Sequence, residues 1–151
     1  MSRATLANEI VSKLLALLRH QHRVHHRLKR EFGVSGRWLS VLHYLAAQGP
    51  HSVGEISRYL DLRDATTSSL LERMEREGLL QRERSSADNR RVVVSITERG
   101  RALAQHAPLT MITRLRRELL NLPESELAEF DRALHRIMEL AGVETDSQEK
   151  E

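Results

Sequence analysis

The chain has no cysteine among its 151 residues, so disulfides, thiolate metal sites and thiol redox switches are excluded. That usage fits a cytoplasmic protein. Aromatic residues make up only 3%, while charged residues make up 30%; this mix favours a helix-rich structure cored by Leu, Ile, Val and Met. The longest purely apolar run, Leu14 to Leu18, is far too short to span a bilayer, and no membrane partner is expected. Met1 to Leu6 lack the charged-then-apolar layout of a signal peptide. Also missing are a nucleophile–base–acid set, a glycine-rich phosphate loop and a full set of metal ligands. The expectation is a protein that is not an enzyme and needs no cofactor or metal.

What is present begins with the distribution of charge. The net charge of +3 says little alone, but residues 1–50 carry eight Lys/Arg against two acids. Residues 51–100 carry nine against nine, and residues 101–151 seven against ten. A basic N-terminal third is compatible with nucleic acid and equally with a solvated helix face. The length fits one domain with a real core.

Hydrophobic spacing gives the layout. Leu6, Ile10, Leu14, Leu17, Val24 and Leu28 recur at three- and four-residue steps, which predicts a long amphipathic helix from Thr5 to about Phe32. Gly33 to Gly36 stop it, and a second helix, Arg37 to Gln48, buries Trp38, Leu42 and Leu45 before Gly49-Pro50. Ser52 and Glu55 form a capping box for a short helix, Val53 to Leu60. Asp64 is the expected N-cap of the next helix, which runs to about Glu77 and is closed by Gly78. Leu79 to Arg84 and Val92 to Ile96 read as two strands joined by a polar connection. Thr97 caps a helix that continues, bent at Pro108, to about Leu120. A last helix, Glu124 to Ala141, carries the stripe Leu127, Phe130, Leu134, Ile137 and Ala141, and Thr145 to Glu151 reads as a frayed end. The long terminal helices need a partner surface, and a second copy of the chain is the most economical one, so a homodimer is expected.

A helix pair followed by an arginine-tipped hairpin fits double-stranded DNA. In the helix from Asp64 to Glu77, burial of Thr67, Leu70, Leu71 and Met74 turns Ala65, Thr66, Ser68, Ser69, Arg73 and Arg76 outward. Small hydroxyl residues at the leading end allow close approach to bases or phosphates, and Arg73 reaches a guanine edge or a phosphate. Arg90 and Arg91 at the hairpin tip suit a narrow minor groove, with Asp88 placed to accept hydrogen bonds from Arg90. The plain alternatives are a Ser/Thr-rich helix start and ordinary turn residues with solvated arginines.

The run Gly78-Leu79-Leu80, then Asp88-x-Arg90, then Val94-Ser95-Ile96-Thr97-x-x-Gly100 resembles the multiple-antibiotic-resistance regulator (MarR) family of winged-helix proteins. Element order and lengths are similar over nearly the whole chain. The resemblance implies a mainly α fold, a single domain over residues 1–151. Residues 37–100 would form the winged helix-turn-helix lobe with a two-stranded wing, and residues 1–32 and 101–144 the dimerisation helices. It also implies a homodimer binding a pseudo-palindromic DNA operator, usually as a repressor, often released by a small aromatic effector. Two positions depart from the family pattern: Thr67 stands where an aliphatic residue is usual, and Asp61 where glycine is common.

Eight histidines are many for this length, and His20, His22, His25 and His26 cluster in the first helix. His22 and His26 share a face, but Arg23 stands where a His-Glu-x-x-His motif would need Glu. The effector pocket implied by the resemblance would be lined by His22, His26, Trp38 and His43. Two other readings stay open: a histidine-based metal-responsive DNA-binding regulator, and a winged-helix module used only for protein contacts.

Overall fold

Ser2 starts the first helix, α1 (Arg3–Phe32), by accepting a 3.1 Å hydrogen bond from the Thr5 amide, and Gly33 ends it in a left-handed conformation at φ 69°. In this computed structural model, which describes residues 1–144, only Leu28 of α1 is fully buried. Leu6, Ile10 and Leu17 of the expected apolar stripe remain between 43% and 49% exposed. Ser35 caps α2 (Gly36–Gln48), which buries Leu39, Val41, Leu42 and Leu45; Trp38, expected inside, packs half-buried at the edge of this core.

The Ser52–Glu55 capping box is formed in both directions and starts α3 (Val53–Leu60). Asp61 closes α3 in the left-handed region at φ 54°, a conformation that Asp tolerates better than most residues because its short side chain bonds locally. The N-cap of α4 (Asp64–Arg76) differs from expectation. Arg63 occupies it without a side-chain cap bond, and Asp64 lies in the first turn, where its charge complements the helix dipole. Thr67, Leu70, Leu71 and Met74 face the core, and Gly78 at φ 73° lets the Leu79 amide return to the Met74 carbonyl at 3.1 Å.

The wing contains a strand more than the two expected. A three-stranded antiparallel sheet runs in the order β1 (His51–Ser52), β3 (Val92–Ile96), β2 (Leu80–Arg84). Two residues between a helix stop and a capping box carry no periodicity, so β1 is defined by its pairing, His51 with Val94 and Ser52 with Val93. Thr97 then starts α5 (Glu98–His106). Its hydroxyl donates to the Gly78 carbonyl at 2.6 Å and accepts from the Gly100 amide at 3.1 Å. A Cβ on Gly100 would collide with the Leu79 carbonyl oxygen, so the helix can lie against the strand only with glycine there.

The helix expected to bend at Pro108 is broken instead. Ala107, the residue before proline, is extended at ψ 145°, and a new helix, α6 (Met111–Leu119), begins after Thr110. The Thr110 hydroxyl accepts from the Thr113 amide at 3.1 Å and lies 3.2 Å from the Ser40 hydroxyl of α2, forming a buried polar cluster. The chain divides into two compact units, Met1–Arg114 and Leu115–Glu151. In the second unit, α7 (Glu124–Leu140) buries no residue, and Phe130 and Leu134 of its apolar stripe are 51% and 56% exposed. The stretch 145–151, expected to be frayed, lies outside the described residues.

Two substitutions test this packing. Gly100→Ala should destabilise the fold by about 1–3 kcal/mol through overpacking, read as a lower urea midpoint; an unchanged midpoint contradicts the close approach. Thr67 is fully buried and its hydroxyl has no partner among the described residues, so Thr67→Val should stabilise by about 1 kcal/mol.

Candidate nucleic-acid interface

The core-facing set of α4 fixes what its other side presents. Thr66, Ser69, Arg73 and Arg76 follow one another at steps of three, four and three residues, all exposed, with Ala65 beside them. Ser68 is half-buried at the border of this stripe and is less available than the residues around it. Thirteen residues give a rod roughly 20 Å long, narrow enough at its small-residue end to enter a major groove. The face is not uniformly basic: Asp64 and Glu72 lie exposed near Arg63, Arg73 and Arg76. Contacts through this helix would therefore depend on hydroxyls and single arginines rather than on a cationic field.

At the wing the arginines are arranged differently from the sequence expectation. Asp88 Oδ1 accepts from the backbone amide of Arg90 at 3.0 Å, and the Asp88 carbonyl accepts from the Arg91 amide at 2.9 Å. Asp88 thus shapes the turn and does not hold the Arg90 guanidinium, because an aspartate this close in sequence meets the main chain first. Arg90 is exposed and no side-chain contact holds it among the described residues. Arg91 is exposed as well, yet its Nη2 donates to Glu55 Oε1 of α3 at 3.0 Å.

Glu55 was legible only as half of a capping box. Its Oε2 accepts from the Ser52 amide at 2.7 Å while Oε1 takes Arg91, so one carboxylate joins α3, β1 and the entry to β3. Glu75 of α4 does the same to the other wing strand, accepting from the Arg82 amide at 2.7 Å and from the Arg82 guanidinium at 3.2 and 3.3 Å. The amide bond from Ser52 and the charge of Arg91 hold the Glu55 carboxyl below the ordinary range. The Arg82 side chain does the same for Glu75. Neither pairing had a signal in the sequence, since each joins residues from different elements.

The four residues expected around an effector do not come together. His22 and His26 meet edge to ring at 4.3 Å on the exposed surface of α1. His43 Nε2 is bonded to the Ala104 carbonyl of α5 at 3.0 Å. Only Trp38 lines the cleft of about 600 Å³ formed with Lys29, Phe32, Arg99, Leu103 and His106. The histidines that share a face of α1 are thereby directed to solvent, and His43 to a neighbouring carbonyl. Among the described residues, no group of three or more His, Cys, Asp or Glu is placed to hold a metal ion.

Comparison with known proteins bears on the same segment. A model described as MarR family matches residues 32–91, from the end of α1 to the wing arginines. The organic hydroperoxide resistance transcriptional regulator of Bacillus subtilis is 39% identical over 56 residues, 37% of this chain and 38% of that protein. The phenylalanine–tRNA ligase alpha subunit of Methanopyrus kandleri is 31% identical over 118 residues, 72% of this chain and 22% of that subunit. The chain thus spans well under half the length of these curated relatives. Among solved structures, the Staphylococcus aureus MepR–DNA complex is similar at a TM-score of 0.59 and 21% identity, covering 93% of this chain and 99% of that one, a likeness of fold.

The carboxylates make the lobe sensitive to acid. Both have folded pKa values below the ordinary 4.5, so their stabilisation is present above about pH 4.5 and is lost as pH falls through the folded values. Thermal melts should show a falling midpoint on acidification below that pH, and the fall should be shallower in the Glu55→Gln Glu75→Gln variant. Parallel acid limbs would contradict the assignment.

Proposed function

We propose that this chain, whose residues 32–91 belong to the MarR family of winged-helix proteins, is a sequence-specific double-stranded DNA-binding transcriptional regulator and not an enzyme. The observation that carries the reading is the pairing, within one lobe, of an outward Thr66–Ser69–Arg73 stripe with an unheld, exposed Arg90 at the wing. On this reading residues 37–100 read DNA. Ala65, Thr66, Ser69 and Arg73, with Ser68 at the margin, meet the major groove, and Arg90 meets the flanking minor groove. Asp88 presents Arg90 through the backbone.

A homodimer binding a pseudo-palindromic operator follows from the terminal helices, residues 1–32 and 101–144. Leu6, Ile10, Val11, Leu15, Leu17 and Leu18 of α1 are exposed, as are Phe130 and Leu134 of α7. Apolar side chains in such numbers on the surface of a charged chain favour burial against a second copy. Repression, the usual mode in the resembled family, would be relieved by an aromatic acid entering the cleft beside Trp38 and Phe32, with Lys29 and Arg99 facing its carboxylate. The cleft also touches Glu77 and Leu79 at the end of α4, so its occupancy can bear on the recognition helix.

Selection of genomic fragments with the purified protein, followed by anisotropy titration, tests the reading. Binding should tighten steeply as salt is lowered. Arg90→Ala should weaken it by about 1–3 kcal/mol without lowering the melting temperature. Failure of the wild-type protein to bind any duplex at low salt would overturn the reading and favour a protein-interaction module.

A further inference from the structure

Two carboxylates of the lobe share an unusual division of labour. Each gives one oxygen to a backbone amide and the other to a guanidinium, and together they reach β1, β2 and the entry to β3 from the two helices of the helix-turn-helix. Glu75 on α4 holds Arg82, whose residue pairs with Val94 in the sheet. Glu55 on α3 holds the amide of Ser52, itself paired with Val93, and holds Arg91 just before β3. With its second oxygen bonded to the Ser52 amide, the Glu55 carboxylate is held beside Arg91, and an Arg91 that stayed paired with it would bring a like charge toward a phosphate.

We propose that Glu55 and Glu75 are positioning residues that bolt the wing to both helices, and that Arg91 is a strut held by Glu55, leaving Arg90 as the DNA-contacting member of the two tip arginines. The clamp stands on the geometry alone, and the roles of Arg90 and Arg91 toward DNA rest on the proposed function. Arg91, an equal partner of Arg90 in the sequence reading, thereby leaves the set of contact residues.

The variant that separates the parts is Glu55→Gln. Glutamine can still accept the Ser52 amide through its carbonyl oxygen, as capping boxes allow, but its other end is a donor and cannot hold Arg91. In the DNA-free protein, amide hydrogen exchange at Ser85 and Arg91, which donate across the connection, should speed up by as much as about fivefold in Glu55→Gln, with α3 unchanged. Unchanged exchange at these amides overturns the clamp. On a mixed-sequence DNA duplex, the dependence of log affinity on log salt should become shallower by about 0.9 per lobe in Arg90→Ala. In Arg91→Ala the slope should stay at the wild-type value while affinity falls, and adding Glu55→Gln should cost nothing more. A slope lowered as much by Arg91→Ala as by Arg90→Ala overturns the strut. Absence of wild-type binding removes the DNA roles of both arginines, while hydrogen exchange still decides the clamp.

Discussion

A hairpin can work together with a helix only if the offset between them is fixed, and in this lobe the offset is set at β3. Its residues Val93 and Val94 pair with β1 on one side and with β2 on the other. Helix α3 begins directly after β1, and α4 is followed through Gly78 by β2, so both helices adjoin strands of the same sheet. The main-chain ladder provides the frame, and the carboxylates of Glu55 and Glu75 tighten it by tying side chains across elements. Gly100 completes the arrangement, since only a residue without Cβ lets α5 lie against the carbonyl of Leu79.

The outward face of α4 depends on this frame through burial. Thr67, Leu70, Leu71 and Met74 are inside, so the outward direction of Thr66, Ser69 and Arg73 is fixed by the core and not by any ligand. At the wing, the backbone of the exposed Arg90 is pinned by Asp88. On the proposed reading, a helix with mixed charges and a wing presenting Arg90 form an interface in which position matters more than total charge.

Much of this was legible in the sequence, and the exceptions have physical causes. Helices with strong periodicity and caps, such as the one started by Ser52 and Glu55, fell where spacing put them. The buried face of α4 followed directly from three- and four-residue steps. The strand β1 has no signal in the sequence because two residues have no period, and Pro108 alone is compatible with a bend as well as with the break observed. Asp88 accepts from Arg90 as its spacing suggests, through the backbone amide, which lies nearer than the guanidinium. The partners of Arg91 and Arg82, and the separation of His22, His26, Trp38 and His43, depend on how distant elements meet. Helical spacing can place side chains on a face but cannot say which neighbour arrives there.

The central claim is that one rigid lobe places a helix in the major groove and a wing arginine in the adjoining minor groove. Chemical footprinting on a selected DNA fragment measures this directly. The account expects guanine protection in two successive major grooves about one helical turn apart, flanked by minor-groove protection that disappears in Arg90→Ala. Protection confined to one groove, or flanking protection that persists without Arg90, would contradict it.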